Sequence, residues 1–134
     1  MDQPDRLLYG YGAARVAVGM AVLVAPGAAT GPWLGRSATD PAIRSMVRLV
    51  GVRDALLGGG TAWAASAGHG AVGWALAGAA ADCADLLVTV ADRSRLPRSA
   101  RAVAALAAGG AATGLYIAWQ AAQRPATRRE GGST

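Results

Sequence analysis

Six ionisable side chains stand inside stretches of sequence that are otherwise apolar enough to cross a membrane. They are Arg15, Arg48, Arg53, Asp54, Asp82 and Asp85. A charge in hydrocarbon costs roughly 3 kcal/mol or more by insertion scales, so it is retained when it is paired, faces a cavity or has a function. The chemistry open to this set is ion pairing, proton exchange by the carboxylates or anion binding by the guanidinium groups.

The spacing of these residues predicts that most of them meet at one depth. A tight turn near residue 68 predicts a helical hairpin, with Asp54 and Asp82 each 14 residues from its apex. At about 1.5 Å per residue, both lie about 21 Å from the apex. Arg53 and Asp85 pair in the same antiparallel register. Arg15, near the middle of the first apolar segment, can reach the cluster with its long side chain.

The charges of this cluster do not balance. Arg48 lies about 30 Å from the apex, where it can extend to the membrane interface without a partner. The remaining two arginines and three aspartates carry one formal negative charge in excess. Asp82 and Asp85 share a helix face, so they repel each other unless an arginine intervenes. We therefore expect a protonated aspartate, an inward-bending Arg48, or a cationic group at the site.

Four helical segments must position these residues. They run from about Leu7 to Ala25, from Asp40-Pro41 to Ala67, from Ala71 to Ala91 and from Ala102 to Gln123. Each is long enough to span a hydrocarbon core of about 30 Å. We predict an all-α protein, a four-transmembrane-helix bundle of up-down topology with a short turn between the second and third helices. Residues 1–123 form one membrane domain, and residues 124–134 form a polar, disordered tail.

The alternative is a soluble, alanine-rich four-helix bundle. A soluble helix needs a charged outer face at the helical period, and neither the fourth segment nor residues 55–81 carry one. Only 16% of the residues are charged, against about 25% in typical soluble domains. Aromatic residues, Tyr11 among them, are expected to form a belt at the membrane interface. These features favour the membrane protein.

The basic residues indicate the origin and the orientation of the chain. All 13 are arginine, which together with many alanines and glycines is typical of a GC-rich bacterial genome, so we expect the bacterial inner membrane. The net charge of +5 is explained by arginines in the connections and the tail, and we expect no nucleic-acid partner. The first and third connections carry six arginines and the termini four, a small difference that favours both termini outside by the positive-inside rule, with dual topology as the alternative.

Other residues offer little chemistry. Cys83 is the only cysteine, so neither an internal disulfide nor a cysteine-based metal site can form. No nucleophile–base pair stands out, and we expect no catalytic residue, no metal and no cofactor. The N-terminus lacks the basic region of a signal peptide, so the first apolar segment is expected to stay in the mature protein.

Small residues recur at intervals of four and allow helices to approach closely. The series are Gly51, Ala55 and Gly59; Ala105, Gly109 and Thr113; and Gly110 and Gly114. We expect them to pack within the chain, and homo-oligomerisation through the same faces remains open.

Two motifs resemble a known family pattern. They are Arg48-Leu-Val-Gly-Val-Arg-Asp-Ala-Leu-Leu-Gly58 and, on the next helix, Ala81-Asp-Cys-Ala-Asp85. The pattern is similar to that of a family of small uncharacterised four-helix membrane proteins, a domain of unknown function common in actinobacteria and fungi. The resemblance covers most of residues 7 to 120 and implies an integral membrane protein without a known activity. Small multidrug exporters and fluoride channels fit less well, because the first helix carries Arg15 instead of a carboxylate and the chain has no Phe.

Two functions are consistent with these features. The first is a non-enzymatic scaffold or binding protein, embedded in the lipid bilayer, whose Arg/Asp cluster fixes the register of the helices. The second is a small transporter or proton-coupled carrier, in which Asp82 or Asp85 carries the proton and Arg15 or Arg53 holds an anion. The sequence does not identify a small-molecule or ion ligand.

Overall fold

The computed structural model describes residues 1, 3–94, 96 and 100–123, with side chains for all of these except residues 32–36 and 100. The predicted disordered tail, residues 124–134, lies outside the described residues. Over the described part, the chain is helical and contains no strand, as the sequence predicted.

Four long helices and one short helix make up this part of the chain. They are α1 (Gln3–Val24), α2 (Pro26–Leu34), α3 (Pro41–Ser66), α4 (Ala71–Ala91) and α5 (Ala100–Ala122), with a 3-10 helix over Gly35–Thr39 between α2 and α3. The long helices follow the predicted segments closely, and α4 has the predicted bounds. The first connection differs from the prediction, which had no helix between α1 and α3. Pro26 follows the end of α1 and also begins α2, because proline is favoured in the first turn of a helix.

Local signals set the two ends of α3. Asp40 caps its N-terminus, where Oδ1 accepts hydrogen bonds from the backbone N–H of Ala42 at 2.8 Å and of Ile43 at 3.3 Å. At the other end, Gly68 and Gly70 adopt φ of 75° and 79°, a left-handed conformation that glycine tolerates best. This short turn makes α3 and α4 antiparallel neighbours, as the sequence predicted.

Glycines bring α1 and α3 into backbone contact. A Cβ on Gly12 would lie 2.6 Å from the carbonyl oxygen of Gly58, and a Cβ on Gly19 would lie 2.6 Å from that of Gly51. The two pairs are seven residues apart on both helices and fix one antiparallel register. Of the predicted small-residue series, Gly51 lies in this contact, whereas Gly59 is nearly clear of it. Helices α4 and α5 form a second closely packed pair, and the α3–α4 hairpin places it beside the pair of α1 and α3.

The side chains are arranged with small residues inside and large apolar residues outside. The buried cluster consists of Leu8, Ala64, Ala65, Ala71, Ala75, Ile117, Ala118 and Ala121. Large side chains such as Leu56, Leu87 and Leu106 are well exposed. An apolar exterior around a small-residue interior is typical of helices that are solvated by lipid.

Three helices of the described residues are long and apolar enough to cross a membrane: Gln3–Val24, Ala71–Ala91 and Arg101–Ala122. The structure thus indicates a membrane protein. Helix α3 is not among the three candidate spans, because Arg44, Arg48, Arg53 and Asp54 lower its hydropathy.

The glycine contact between α1 and α3 can be tested with two neighbouring substitutions. A methyl group at Gly12 would collide with backbone atoms of Gly58 and Ala62, whereas nothing lies within 4 Å of one at Gly10. Overpacking of this kind costs about 1–3 kcal/mol. We expect Gly12→Ala to lower the midpoint of thermal unfolding in detergent, and Gly10→Ala to leave the midpoint unchanged or raise it. Equal midpoints for the two variants would contradict the contact.

Candidate functional site

Five charged side chains from α1, α3 and α4 form a continuous series of ion pairs, which we call the Arg/Asp chain. In spatial order they are Asp82, Arg15, Asp54, Arg53 and Asp85. Their signs alternate, so each arginine stands between two carboxylates. The structure thereby brings together all five residues of the predicted cluster, in contacts that join three helices.

Arg15 lies at the centre of this arrangement. Its Nη1 and Nη2 donate to the two carboxylate oxygens of Asp82 at 2.5 and 3.0 Å, and Nη2 also donates to Oδ1 of Asp54 at 2.8 Å. A two-point contact between a guanidinium and a carboxylate fixes orientation as well as distance. Arg15, Asp54 and Asp82 each stand near the middle of their helices, so the contact joins α1, α3 and α4 at mid-height.

Arg53 makes the second two-point contact. Its Nη1 and Nη2 donate to Asp85 at 2.9 and 2.6 Å, and Nη2 also lies 3.4 Å from Oδ1 of Asp54. Exposure rises along the Arg/Asp chain, from 10% for the side chains of Asp82 and Arg15 through 20% for Asp54 to 33% and 38% for Arg53 and Asp85. One end of the Arg/Asp chain is therefore buried, and the other reaches the surface.

Tyr11 belongs to the site, although the sequence interpretation assigned it to the aromatic belt. Its hydroxyl accepts a hydrogen bond from Arg15 Nη1 at 3.0 Å, and its ring centroid lies 5.8 Å from the guanidinium carbon. The hydroxyl also donates to the carbonyl oxygen of Gly110 at 3.5 Å. An available signal was the spacing of four residues, which places Tyr11 and Arg15 on one helix face.

Helix α5 contributes glycines in place of a charge. A Cβ on Gly110 would lie 2.5 Å from Oδ2 of Asp82, and one on Gly114 would lie 2.7 Å from the Tyr11 hydroxyl. On α4, a Cβ on Gly78 would lie 3.4 Å from Nη1 of Arg15. The predicted small-residue pair Gly110 and Gly114 is thus used within the chain, where it closes the buried end of the Arg/Asp chain.

Arg48 is separate from the Arg/Asp chain. Its Nε donates to the carbonyl oxygen of Leu23 at 3.3 Å, where it stabilises the C-terminal end of α1. Arg44 acts similarly on the first connection, since its Nε donates to the carbonyl oxygen of Ala38 at 2.9 Å. Of the three alternatives for the excess charge, an inward-bending Arg48 is not what this structure has, because the hydrogen bond of Arg48 goes to the end of α1, apart from the cluster as the sequence predicted.

The hydrogen-bonding capacity of the Arg/Asp chain is not fully used. Asp54 accepts both of its contacts through one oxygen, Oδ1. The Nε atoms of Arg15 and Arg53 are buried without a hydrogen-bond partner. Two guanidinium groups against three carboxylates leave one formal negative charge in excess, as the sequence predicted.

Two further features of the described residues bear on ligand binding near the site. Within the described residues, no group of His, Cys, Asp or Glu side chains could hold a metal ion. A shallow depression of about 350 Å³ lies beside the hairpin, lined by Gly70, Gly73, Trp74 and Ala77, roughly 12 Å along α4 from Asp82 at 1.5 Å per residue. Chemically, the Arg/Asp chain can pair charges between helices. Its exposed end can also form a hydrogen bond or an ion pair with a further polar group.

Comparisons with models of known families, with curated proteins and with solved structures give no match. The resemblance to the four-helix family therefore stays a prediction.

Gly110 and Gly109 provide a matched test of the buried end of the Arg/Asp chain. A methyl group at Gly110 would displace Asp82, which is held in place by Arg15, whereas nothing lies within 4 Å of a methyl group at Gly109. We expect Gly110→Ala to lower the thermal unfolding midpoint in detergent by weakening this ion pair, and Gly109→Ala to leave it unchanged or raise it. Similar losses in both variants would show that α5 does not close the site.

Proposed function

We propose that this chain is a four-span, multi-pass protein of the bacterial inner membrane, in which the Arg/Asp chain cross-links the helices. We further propose that it is a non-enzymatic scaffold or binding protein. The observation that carries the proposal is the Arg15–Asp82 pair, which is nine-tenths buried and packed against Gly78 and Gly110. A site closed on both sides by helix backbone is suited to holding helices together.

The hairpin supports a fourth span. Helix α4 is a candidate span, and α3 runs back beside it after a turn of residues 67–70. With 26 residues, α3 is about 39 Å long at 1.5 Å per residue, which exceeds the hydrocarbon thickness. Its central charges, Arg53 and Asp54, contact Asp85 and Arg15 on neighbouring helices, which offsets the cost of placing them in the membrane.

Reporter proteins fused to the two termini distinguish four membrane spans from three. With four spans both termini lie on the same side, and the positive-inside rule places them outside the cytoplasm. We expect alkaline phosphatase to be active, and green fluorescent protein to be dark, when fused to either terminus. Termini on opposite sides would leave three spans and place α3 outside the hydrocarbon.

Removal of single charges tests the cross-linking role. Arg15→Gln removes the arginine between Asp54 and Asp82 and leaves Arg53 as the only arginine of the Arg/Asp chain. The loss of one partner from a buried ion pair costs about 3–5 kcal/mol of stability. Asp82→Asn leaves two arginines and two aspartates, so we expect a smaller loss. The double variant Arg15→Gln/Asp82→Asn should be more stable than Arg15→Gln alone, as measured by thermal unfolding in detergent. Wild-type stability of Arg15→Gln would contradict the role.

A small transporter or proton-coupled carrier is the second candidate, and the excess negative charge favours it. Because Asp82 is enclosed, Asp85 at the exposed end is the carboxylate that such a carrier would use. Proteoliposomes with an internal pH-sensitive dye test this candidate. Proton uptake that Asp85→Asn abolishes, without a change in unfolding midpoint, would support the carrier over the scaffold.

A further inference from the structure

The exposed end of the Arg/Asp chain lies on the outer surface formed by α3 and α4. The side chains of Arg53 and Asp85 are about one-third exposed, although both residues stand well inside their helices. At that depth a bilayer provides neither water nor hydrogen-bonding groups. An ion pair facing hydrocarbon is unfavourable, so a polar partner is needed to cover it.

Large apolar side chains surround this ion pair. Leu49 and Leu56 lie one turn before and one turn after Arg53, and Val88 lies one turn after Asp85; their exposed fractions are 62%, 66% and 64%. We refer to these five residues as the α3/α4 face. Lipid tails can solvate its apolar rim, but they cannot satisfy the charged pair at its centre.

We infer that a second copy of this chain covers the α3/α4 face, so that the protein is a two-fold symmetric dimer in the membrane. A two-fold axis brings the same surface of both copies together, so the surface must complement itself. An Arg–Asp pair meets this requirement, because a half-turn sets Asp85 of the second copy against Arg53 and its Arg53 against Asp85. The four charges then alternate around a ring.

The unused hydrogen-bonding capacity of the pair is consistent with this arrangement. A guanidinium has five N–H groups. Arg53 donates three hydrogen bonds and its Nε is buried, so one N–H on Nη1 remains for a second copy. Each oxygen of Asp85 accepts one hydrogen bond and has a second lone pair available. A free cation pairs only with the carboxylate and a free anion only with the guanidinium, whereas a second Arg–Asp pair offers an opposite charge to both.

Two of the three small-residue series are used within one copy, whereas the third, Ala105, Gly109 and Thr113 on α5, is exposed but carries no charge that needs a partner. Gly51 is in contact with the backbone of α1, and Gly110 and Gly114 are in contact with Asp82 and Tyr11. These glycines are therefore occupied within one copy. The α3/α4 face is both exposed and polar at its centre, which makes it the more suitable surface for a second copy.

Cysteine cross-linking in membranes tests the dimer while the wild-type charges are retained. In a Cys83→Ala background, Leu49→Cys, Leu56→Cys and Val88→Cys are introduced one at a time and oxidised with copper phenanthroline. The control is Val18→Cys on α1, which is 58% exposed and is placed level with residue 52 by the contact of Gly19 with Gly51. We expect at least one of the three positions to give severalfold more covalent dimer than the control.

Several results would overturn the dimer. They are equal cross-linking at the control, no cross-linking at any of the three positions, a cross-link to a different protein, or reaction of Leu56→Cys with a membrane-impermeant maleimide, which would show that water covers the pair. The dimer relies on the four-span proposal for placing α3 in the bilayer. Because the terminal reporters count spans without any cross-link, the failure of one proposal can be told apart from that of the other.

Charge reversal tests the pairing between copies. The reversals are made in whichever single-cysteine chain cross-links best, Leu49→Cys, Leu56→Cys or Val88→Cys. In a dimer of identical chains, Arg53→Asp or Asp85→Arg then places like charges opposite each other. We expect each chain alone to lose most of its covalent dimer, and co-expression of the two to restore a mixed dimer. Absence of the mixed dimer, with both chains present in the membrane, would contradict the ring of four charges. If the reversed chains do not accumulate, the cysteine series with wild-type charges decides.

Discussion

Arg15 holds a positive charge in the middle of an apolar helix, and the packing around it keeps two anions beside it. A buried charge is tolerated when a counter-charge lies in contact and the remaining hydrogen bonds are largely made. Asp82 provides a two-point contact and Asp54 a second carboxylate, while the Tyr11 hydroxyl accepts a further N–H. Because these partners come from α1, α3 and α4, one side chain ties three helices together at mid-height.

Close helix packing is the condition that makes these ion pairs possible. Gly12 and Gly58 let the backbones of α1 and α3 touch, which brings Arg15 level with Asp54. Gly110 lets α5 approach Asp82 so closely that a methyl group would not fit. In lipid, where helices gain little from burying apolar surface against each other, such contacts and polar pairs are the main forces that hold a bundle together.

The sequence was most informative where one short turn sets the geometry. The turn near residue 68 allows α3 and α4 to be aligned by counting from a single apex, and that count predicted the contact between Arg53 and Asp85. The role of Gly110 was not predictable in this way, because the connection before α5 is too long to set its register by counting. Helix α2 was missed because a proline marks the start of a helix as well as the end of one. The number of spans, the family and the function remain predictions.

The cross-linking of the three helices depends on direct contact between Arg15 and Asp82 in the membrane. Solid-state NMR in lipid bilayers can measure it, through dipolar coupling between arginine guanidinium nitrogens and aspartate Cγ, with Asp82→Asn identifying the signal. The predicted result is a coupling that corresponds to a separation of about 4 Å or less, as a charge-assisted hydrogen bond requires. A separation above about 6 Å, too long for a direct hydrogen bond, would contradict the contact and with it the cross-linking of the three helices.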